Sequence, residues 1–212
     1  MEKLRAKERP LLFTVGHSNH SLNVFVELLQ RHGIQFLVDT RSHPYSKYLA
    51  HFNREALSQA LSHSGIKYLY LGKELGGRPE GEEFYDDDGH VLYYRLAESP
   101  LFLNGIDRLT KGIQGRRLAI MCSEEDPSVC HRHLLVGRVM AERGARICHL
   151  RGDGAIQDDS DRQVTESKQL LLFDQPEDNT WKSLRSVLRR KQPSNSSIAS
   201  EAMESDDWSM FD

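Results

Sequence analysis

The amino-acid sequence predicts a single α/β domain with a mostly parallel, Rossmann-like three-layer sheet and helices on both faces. Two observations lead to this prediction. Short apolar runs typical of buried strands alternate with segments of helical periodicity. Polar residues also follow directly after three of the apolar runs, as expected where parallel strands end at one edge of a sheet. A chain of 212 residues is long enough for one such domain with tails.

The first half of the chain is predicted to contain three strands, each a short apolar run: residues 11–15, 34–38 and 68–71. Ser21 is the predicted N-cap of a helix whose apolar positions recur at helical spacing until Gly33. Asn53 is the predicted cap of a second helix, which ends near Gly65. Residues 72–96 are rich in Gly, Asp and Glu, and we expect a long loop there with little regular structure. Such a loop is either a lid over a site or a surface insertion without a role.

The second half of the chain repeats this alternation. In chain order, its predicted elements are a helix at 101–109, a strand at 117–121, a helix starting at Pro127, a final strand at 145–150 and a short helix at 181–188. The run at 117–121 has the most convincing strand pattern, and it leads directly into Cys122. Strands and helices that alternate at this spacing imply a mostly parallel sheet covered on both faces.

The predicted domain covers residues 11–190, between a flexible N-terminus at 1–10 and a disordered tail at 191–212. The tail contains six serines and five acidic residues, and it shows no hydrophobic period. Trp208 and Phe211 lie among its acids, which leaves two interpretations open. Residues 200–212 are either a solvated end or a short peptide that docks its aromatic rings into a protein partner.

Composition excludes several classes of protein. The formal net charge of −3 excludes a histone-like nucleic-acid-binding protein, although it is compatible with a local basic groove. No run approaches the roughly 18 apolar residues of a membrane span, and residues 1–10 lack the apolar region of a secretory signal. Three cysteines are too few for a disulfide framework. We therefore expect a cytoplasmic protein without a membrane partner.

Chemically capable side chains follow three of the predicted strands, in residues 16–20, 39–44 and 122–133. Because ligands of open α/β sheets bind outside the carboxyl ends of the strands, we expect these three segments to converge on one site.

Several motifs lie in or near these segments. They are T-V-G-H-S at 14–18, V-D-T-R at 38–41, E-L-G-G-R at 74–78, M-C-S-E-E-D-P-S-V-C-H-R at 121–132 and H-L at 149–150. On these motifs the sequence resembles the family catalogued as domain of unknown function 488, over about residues 11–152. The resemblance implies a single compact α/β domain with a polar pocket, and it implies no particular reaction.

An anion site is the best-supported functional prediction. The candidate ligand-binding residues are Ser18, Arg41, Arg78, Cys130 and Arg132. Arg132 is expected at the start of a helix, where exposed N–H groups already favour anions. With Arg41 and Arg78 it would bind a phosphate or a carboxylate. The alternative for Arg41 is a salt bridge with Asp39 at the edge of the sheet.

Proton transfer and nucleophilic attack have their own candidates in the same segments. The candidate catalytic residues are His17, Asp39, Cys122, Glu124 and His131. Cys122 is either a nucleophile or a packed wall of the site. Glu124, Glu125 and Asp126 are expected to raise the pKa of this thiol, which argues against a strong nucleophile. Cys122 and Arg132 are ten residues apart, too far for the loop of a protein-tyrosine phosphatase.

Several side chains are also of the right type to bind zinc: Cys122, Cys130, His131, His133 and His149, with His17, His20 and His43 in other loops. The paired C-x2-C spacing of zinc knuckles is missing, and the adjacent Cys130 and His131 are poorly spaced to bind one ion. A metal cofactor is therefore open but not favoured. The alternative is that hydrogen-bonded histidines fix the geometry of the loops.

We predict an enzyme that binds an anionic, phosphate-containing ligand and catalyses hydrolysis or group transfer. A nucleotide or nucleic acid is the expected substrate class, because five aromatic residues in flanking loops can stack on bases or anchor the loops: Tyr45, Tyr48, Phe52, Phe84 and Tyr85. Two alternatives remain open. One is a non-catalytic accessory module that binds a ligand or nucleic acid, and the other is a thiol or metal sensor built on Cys122 and Cys130.

Overall fold

A six-stranded sheet forms the centre of the molecule. The computed structural model describes residues 9–160 and 181–187. Its strands are β1 (Leu11–Gly16), β2 (Phe36–Asp39), β3 (Lys67–Tyr70), β4 (Leu118–Cys122), β5 (Arg146–Leu150) and β6 (Ile156–Asp158). They lie in the order β3-β2-β4-β1-β5-β6, and every neighbouring pair is parallel except β5 and β6. This arrangement confirms the predicted α/β class.

Helices connect the parallel strands. They are α1 (Leu22–Arg31), α2 (Arg54–His63), α3 (Gly72–Leu75), α4 (Tyr93–Ala97), α5 (Pro100–Gly112), a π-helix (Arg132–Gly137) and α6 (Arg138–Glu142), which continues the π-helix. The Ser21 side chain caps α1 by accepting from the Val24 N–H, as predicted. Asn53 stands at the N-cap position of α2, but its side chain accepts from the Ser46 N–H instead.

Apolar side chains cover both faces of the sheet because successive strand residues point to opposite sides. Leu12 and Ile120 face a cluster that includes residues of α3, α4, α5 and the π-helix. Phe13 and Met121 face a second cluster, which includes residues of α1 and α2. The predicted three-layer arrangement is therefore confirmed. Within residues 9–160, no helix has the length and apolar character needed to cross a membrane.

The prediction of an irregular loop at 72–96 is wrong in part. This stretch contains α3, a 3-10 turn at 82–84 and α4. Leu75, Val91, Tyr93 and Leu96 are buried in the core cluster of α5. The polar residues between these apolar positions obscure the pattern in the sequence, whereas tertiary burial stabilises the short helices.

Three further predictions about elements need correction. The helix expected from Pro127 is divided into a 3-10 turn at 127–129, the π-helix and α6. The strand expected to be the last is followed by β6, which pairs antiparallel with β5 after a turn. Residues 181–187 contain no helix: Lys182 forms a bridge with Leu92, and the Trp181 indole N–H donates to the Leu134 carbonyl at 2.8 Å. Leu188, the tail at 191–212 and residues 1–8 lie outside the described residues.

Candidate functional site

The carboxyl ends of three adjacent strands, β2, β4 and β1, carry most of the predicted site residues. Gly16 at the end of β1 lies opposite Cys122 at the end of β4, and Asp39 at the end of β2 lies opposite Met121. The pairing continues beyond β1, where the His17 N–H donates to the Cys122 carbonyl at 2.9 Å. Parallel pairing in this register therefore fixes the three segments side by side.

Two unusual backbone positions attach the turn after β1 to the loop after β4. A Cβ on Gly16 would lie 1.9 Å from the Glu124 carbonyl oxygen, so only glycine allows this approach. Ser18 has a φ of 47°, and no other non-glycine residue of the described ranges has a positive φ. Its N–H donates to the Ser123 carbonyl at 2.9 Å. The half-buried Ser18 hydroxyl lies 3.4 Å from the Asn19 side-chain oxygen.

Cys122, Cys130 and His131 form a buried group that we call the thiol cluster. The His131 Nδ1 lies 3.6 Å from the Cys122 Sγ and 3.8 Å from the Cys130 Sγ. The other ring nitrogen, Nε2, lies 3.1 Å from the Thr40 carbonyl oxygen. Because a carbonyl only accepts hydrogen bonds, Nε2 must carry a proton, and Nδ1 is the atom that faces the two sulfurs.

The surroundings of the two thiols shift their pKa values in opposite directions. A hydrogen bond from the Cys130 thiol, together with His131 and Arg132 nearby, outweighs burial and holds the pKa of Cys122 well below its usual range. Burial and the adjacent Cys122 sulfur raise the pKa of Cys130. Burial opposes a charge on His131, but Cys122 and the Thr40 carbonyl outweigh it and raise the pKa of that imidazole. Both shifts act in the direction of a Cys122 thiolate beside a protonated His131.

The expectation that neighbouring acids would raise the pKa of Cys122 is wrong in direction. The Glu124 side chain is exposed. The Glu125 carboxylate accepts from Arg151 at 2.6 Å, and the Asp126 carboxylate caps the Ser128 N–H at 2.9 Å. Adjacency in the sequence therefore did not place these acids against the sulfur.

His17, Asp39, Arg41 and Tyr68 form a second buried group, which we call the His17 network. The Arg41 guanidinium donates to the Asp39 carboxylate at 2.6–3.1 Å, and the Tyr68 hydroxyl donates to the same carboxylate at 2.7 Å. Arg41 Nη1 lies 3.3 Å from His17 Nε2, and Arg41 Nη2 donates to the Phe52 carbonyl at 2.8 Å. The ion pair considered as an alternative for Arg41 is present, and it is buried.

His17 is held neutral in this network. Its Nδ1 lies 2.8 Å from the Ser18 carbonyl oxygen, so Nδ1 carries the proton and Nε2 accepts from Arg41. Burial and the positive charge of Arg41 lower the pKa of His17 to about 4. The imidazole also stacks on the Phe52 ring, with centroids 4.3 Å apart. Phe52 is fully buried and therefore anchors the loop.

Arg132 is fully buried and supports the loop after β4. Its guanidinium donates to the Glu124 carbonyl, to the Glu125 carbonyl at 2.6 Å and to the Thr14 hydroxyl at 3.3 Å. Arg132 thus binds backbone oxygens of its own chain while adding positive charge near Cys122.

The E-L-G-G-R segment at 74–78 lies against the thiol cluster. A Cβ on Gly77 would be 2.8 Å from the His131 ring, so this close approach needs glycine. The Arg78 N–H donates to the Ser42 hydroxyl at 2.9 Å, which attaches the segment to the turn after β2. The Arg78 side chain is exposed, unlike the buried Arg41 and Arg132.

The predicted aromatic residues divide into exposed and packed groups. Tyr48 is 95 % exposed and Tyr45 is 58 % exposed, both between β2 and α2. Phe84 and Tyr85 are partly buried against the core.

Three contributors were not identified from the sequence. Thr40 contacts the thiol cluster through its carbonyl, and Tyr68 contacts Asp39 through its hydroxyl. Asp159 lies 3.0 Å from the buried His149 and 2.9 Å from His133. Thr40 could have been identified because it lies among the polar residues that follow a predicted strand. No sequence signal pointed to Asp159, because β6 was not predicted.

Groups with the ligand types of a metal site occur three times in the described residues. They are Cys122, Cys130 and His131; His133, His149 and Asp159; and Asp86, Asp88 and His90, each with ligand atoms within 4.8 Å of one another. In the thiol cluster, the adjacent Cys130 and His131 both face a common point, which sequence spacing had disfavoured. In the third group, Lys182 already pairs with Asp86 at 2.7 Å.

Comparison with known proteins gives one match. A family model described as "Domain of unknown function DUF488" matches residues 21–139, which is more than half of the chain. No curated protein and no solved structure matches the chain significantly.

Proposed function

We propose that this chain, which belongs to the DUF488 family of domains of unknown function, is a thiol-dependent enzyme. Cys122 is the nucleophile in hydrolysis or group transfer on a small anionic substrate of the nucleotide type. The observation that carries the proposal is the position of His131, whose Nδ1 faces the Cys122 sulfur at 3.6 Å while Thr40 holds the other nitrogen.

Nucleophilic attack requires a thiolate, and three neighbours of Cys122 favour one. Cys130 donates a hydrogen bond to the sulfur, and His131 and Arg132 supply positive charge. In the proposed reaction, the Cys122 sulfur bonds to the electrophilic atom of the substrate and the leaving group departs with a proton from His131. Water or a second acceptor then releases the transferred group and restores the thiolate.

Positive charge around the site supports an anionic substrate. Arg132 donates to neutral oxygens of the protein, so its contribution is electrostatic, whereas the charge of Arg41 is compensated by Asp39. Arg78 is exposed on the segment that contacts His131, which makes it the proposed direct ligand for a phosphate or carboxylate. His131, neutral after it has protonated the leaving group, is the proposed acceptor of a proton from the attacking water, which restores the imidazolium beside the thiolate. The exposed Glu124 on the loop after β4 is the proposed route for that proton to and from solvent.

Exposed aromatic rings support the nucleotide class in particular. Tyr48 and Tyr45 lie on the segment that also carries Ser42, to which Arg78 is bonded. A base stacked on either ring would leave its phosphate on the arginine side.

The test combines active-site labelling with turnover. We expect iodoacetamide at pH 6 to alkylate Cys122 faster than Cys148, because the neighbours of Cys122 lower its pKa whereas burial raises the pKa of Cys148 to about 11. Peptide mass spectrometry after timed labelling measures both rates. Hydrolysis of p-nitrophenyl acetate, p-nitrophenyl phosphate and nucleoside 5′-diphosphates is then assayed for wild type, Cys122→Ser and the matched control Cys148→Ser.

Turnover that disappears only in Cys122→Ser is the expected result, and Arg78→Ala should raise KM for the phosphate substrates more than for the acetate. Equal turnover in wild type and Cys122→Ser would overturn the thiol mechanism. A wild-type protein that leaves Cys122 unlabelled and hydrolyses none of these substrates would also overturn it, and tight binding of a nucleoside diphosphate by that protein would favour the accessory module.

A thiol or metal sensor is the second candidate, favoured by the ligand atoms of Cys122, Cys130 and His131 within 4.8 Å of one another. Stoichiometric zinc with two thiols protected from Ellman's reagent is the result expected for a sensor. Three reactive thiols and no zinc, with the same thiol count before and after treatment with an oxidant, would exclude it.

A further inference from the structure

We propose that His133, His149 and Asp159 bind one first-row divalent transition-metal ion. This group, the His133 cluster, lies at the β5–β6 side of the sheet and takes no part in the proposed thiol chemistry. The inference goes beyond the proposed function and does not depend on it.

Three separate elements bring the ligand atoms together. His133 is the second residue of the π-helix, His149 lies in β5, and Asp159 directly follows β6. The antiparallel return of β6 is what places Asp159 here, since Gln157 pairs with His149. The ligand atoms lie within 4.8 Å of one another. Residues distant in sequence thus form one N,N,O set, the ligand types that divalent transition metals accept.

The distances are close to those of a bound ion. His149 Nε2 lies 3.0 Å from Asp159 Oδ1, and His133 Nδ1 lies 2.9 Å from the same oxygen. Two ligands about 2.1 Å from an ion at a tetrahedral angle stand about 3.4 Å apart. A small outward shift of each side chain therefore makes room for an ion.

His133 provides a second, independent observation. Its Nδ1 is buried and has no hydrogen-bond partner, although it lies 2.9 Å from the Asp159 Oδ1. A cation between a buried nitrogen and a carboxylate oxygen stabilises both atoms, and it can be a proton on Nδ1 or a metal ion at its lone pair. A metal ion would bond to this lone pair and to the carboxylate together.

The neighbours of His149 resemble the outer shell of a metal site. Its Nδ1 lies 2.8 Å from the Thr14 hydroxyl, which also accepts from Arg132 Nε at 3.3 Å. Metal-bound histidines commonly donate their second ring N–H to a fixed oxygen, which sets the tautomer. In the structure, the His149 Nε2–H donates to the Asp159 carboxylate at 3.0 Å, and Nδ1 accepts from the Thr14 hydroxyl. A metal ion would replace the Nε2 proton, and Nδ1 would then carry a proton toward Thr14.

Two of the three ligand side chains are partly exposed. The His149 side chain is fully buried, whereas those of His133 and Asp159 retain 13 % and 10 % exposure. The proposed direction of approach for an ion and a completing water ligand is therefore the His133 side. Imidazole and carboxylate donors without sulfur favour zinc, cobalt, nickel or iron(II) over calcium or magnesium.

Cobalt(II) is the probe that separates this cluster from the thiol cluster, because thiolate ligation gives a strong charge-transfer band that N,O ligation lacks. The full chain is treated with a chelator, dialysed and titrated with CoCl2, with absorbance, bound-metal analysis and proton release recorded. The variants are His133→Gln, Asp159→Asn, Cys122→Ser and, as a matched control, His63→Gln at the exposed end of α2.

We expect one cobalt ion per chain without a sulfur charge-transfer band. His133→Gln and Asp159→Asn should each weaken binding at least about tenfold, while Cys122→Ser and His63→Gln bind as wild type does. Far-ultraviolet circular dichroism verifies that each variant is folded, and His133→Gln, at the more exposed of the two positions, keeps the test valid if Asp159→Asn is unstable. Absence of binding by wild type, unchanged binding in His133→Gln, or a sulfur band lost in Cys122→Ser would each overturn the proposal.

Discussion

Two buried histidines near the carboxyl ends of the same strands, His17 and His131, have pKa values that their neighbours shift in opposite directions. His17 accepts a hydrogen bond from Arg41, and a proton at that position would face a guanidinium in a buried site. His131 faces the Cys122 sulfur, and a proton there gains a negative partner. The same side chain thus serves as a neutral acceptor in one group and as a cation in the other.

The low pKa of His17 predicts an acid-sensitive fold. The pKa is about 4 in the folded protein and about 6.5 when unfolded, so below pH 6.5 the unfolded chain binds more protons. Stability is therefore fully present above pH 6.5 and declines as the pH falls, until the loss levels off below about pH 4. At pH 5 the loss from this residue is about 2 kcal/mol.

Urea unfolding at pH 7 and pH 5 measures this effect. In His17→Gln, the difference between the two pH values should shrink by about 2 kcal/mol, whereas the exposed-residue variant His63→Gln should keep the wild-type difference. Identical pH dependence in wild type and His17→Gln would show that His17 does not carry the effect.

The π-helix is the element that separates the two candidate sites. Its first residue, Arg132, points to Thr14 and the loop after β4, and its second, His133, lies beside Asp159. The wider turn of a π-helix is frequently found at functional sites, and it changes the directions of side chains relative to an α-helix. His131, directly before it, faces the thiol cluster. The three consecutive residues His131, Arg132 and His133 therefore contact three different parts of the molecule: the thiol cluster, the loop after β4 and Asp159.

The segment that covers His131 leads to a prediction about Gly77. In Gly77→Ala the new Cβ would lie 2.8 Å from the His131 ring, so either the segment or the ring must move. We expect a loss of about 1–3 kcal/mol in the free energy of unfolding and slower alkylation of Cys122 at pH 6.

Gly115→Ala is the matched control, since a Cβ there meets nothing within 4 Å and only its φ of 71° is unfavourable. It should cost about 1–2 kcal/mol and leave the alkylation rate of Cys122 unchanged. Wild-type labelling of Cys122 in Gly77→Ala would mean that this segment does not position His131.

At the scale of the whole molecule, residues 181–187 complete the domain. Trp181 donates to the Leu134 carbonyl and packs under Arg138, whose guanidinium carbon lies 4.2 Å from the ring centroid. The Ser183 hydroxyl accepts from the Val91 N–H at 2.9 Å, and the Val187 N–H donates to the Gly89 carbonyl at 2.7 Å. This segment therefore holds the turn before α4 against the π-helix.

Two truncations test the predicted boundary at residue 190. A chain that ends at 180 loses the Trp181 contacts and should be less stable by at least about 2 kcal/mol. A chain that ends at 190 retains them, and we expect its unfolding free energy to equal that of the full chain. A large loss of stability in the longer truncation would place part of the fold within residues 191–212.

The sequence by itself determined the sheet, the order of its parallel strands along the chain and the edge at which the reactive residues meet. Those features depend on local patterns: apolar runs such as 117–121 form buried strands, and the next residues must emerge at their carboxyl ends. The α/β class and the family followed from the same runs and motifs, and both are confirmed.

Only the tertiary structure decided that the pKa of Cys122 is lowered, that Arg132 binds backbone oxygens of its own chain and that His133 lies beside Asp159. Each depends on distances between residues that are separated along the chain or face away from their sequence neighbours. Glu124 is two residues from Cys122 but exposed, whereas Cys130 is eight residues away and donates a hydrogen bond to the Cys122 sulfur. Electrostatic energy falls with distance in space and rises with burial, and neither quantity can be read from sequence separation.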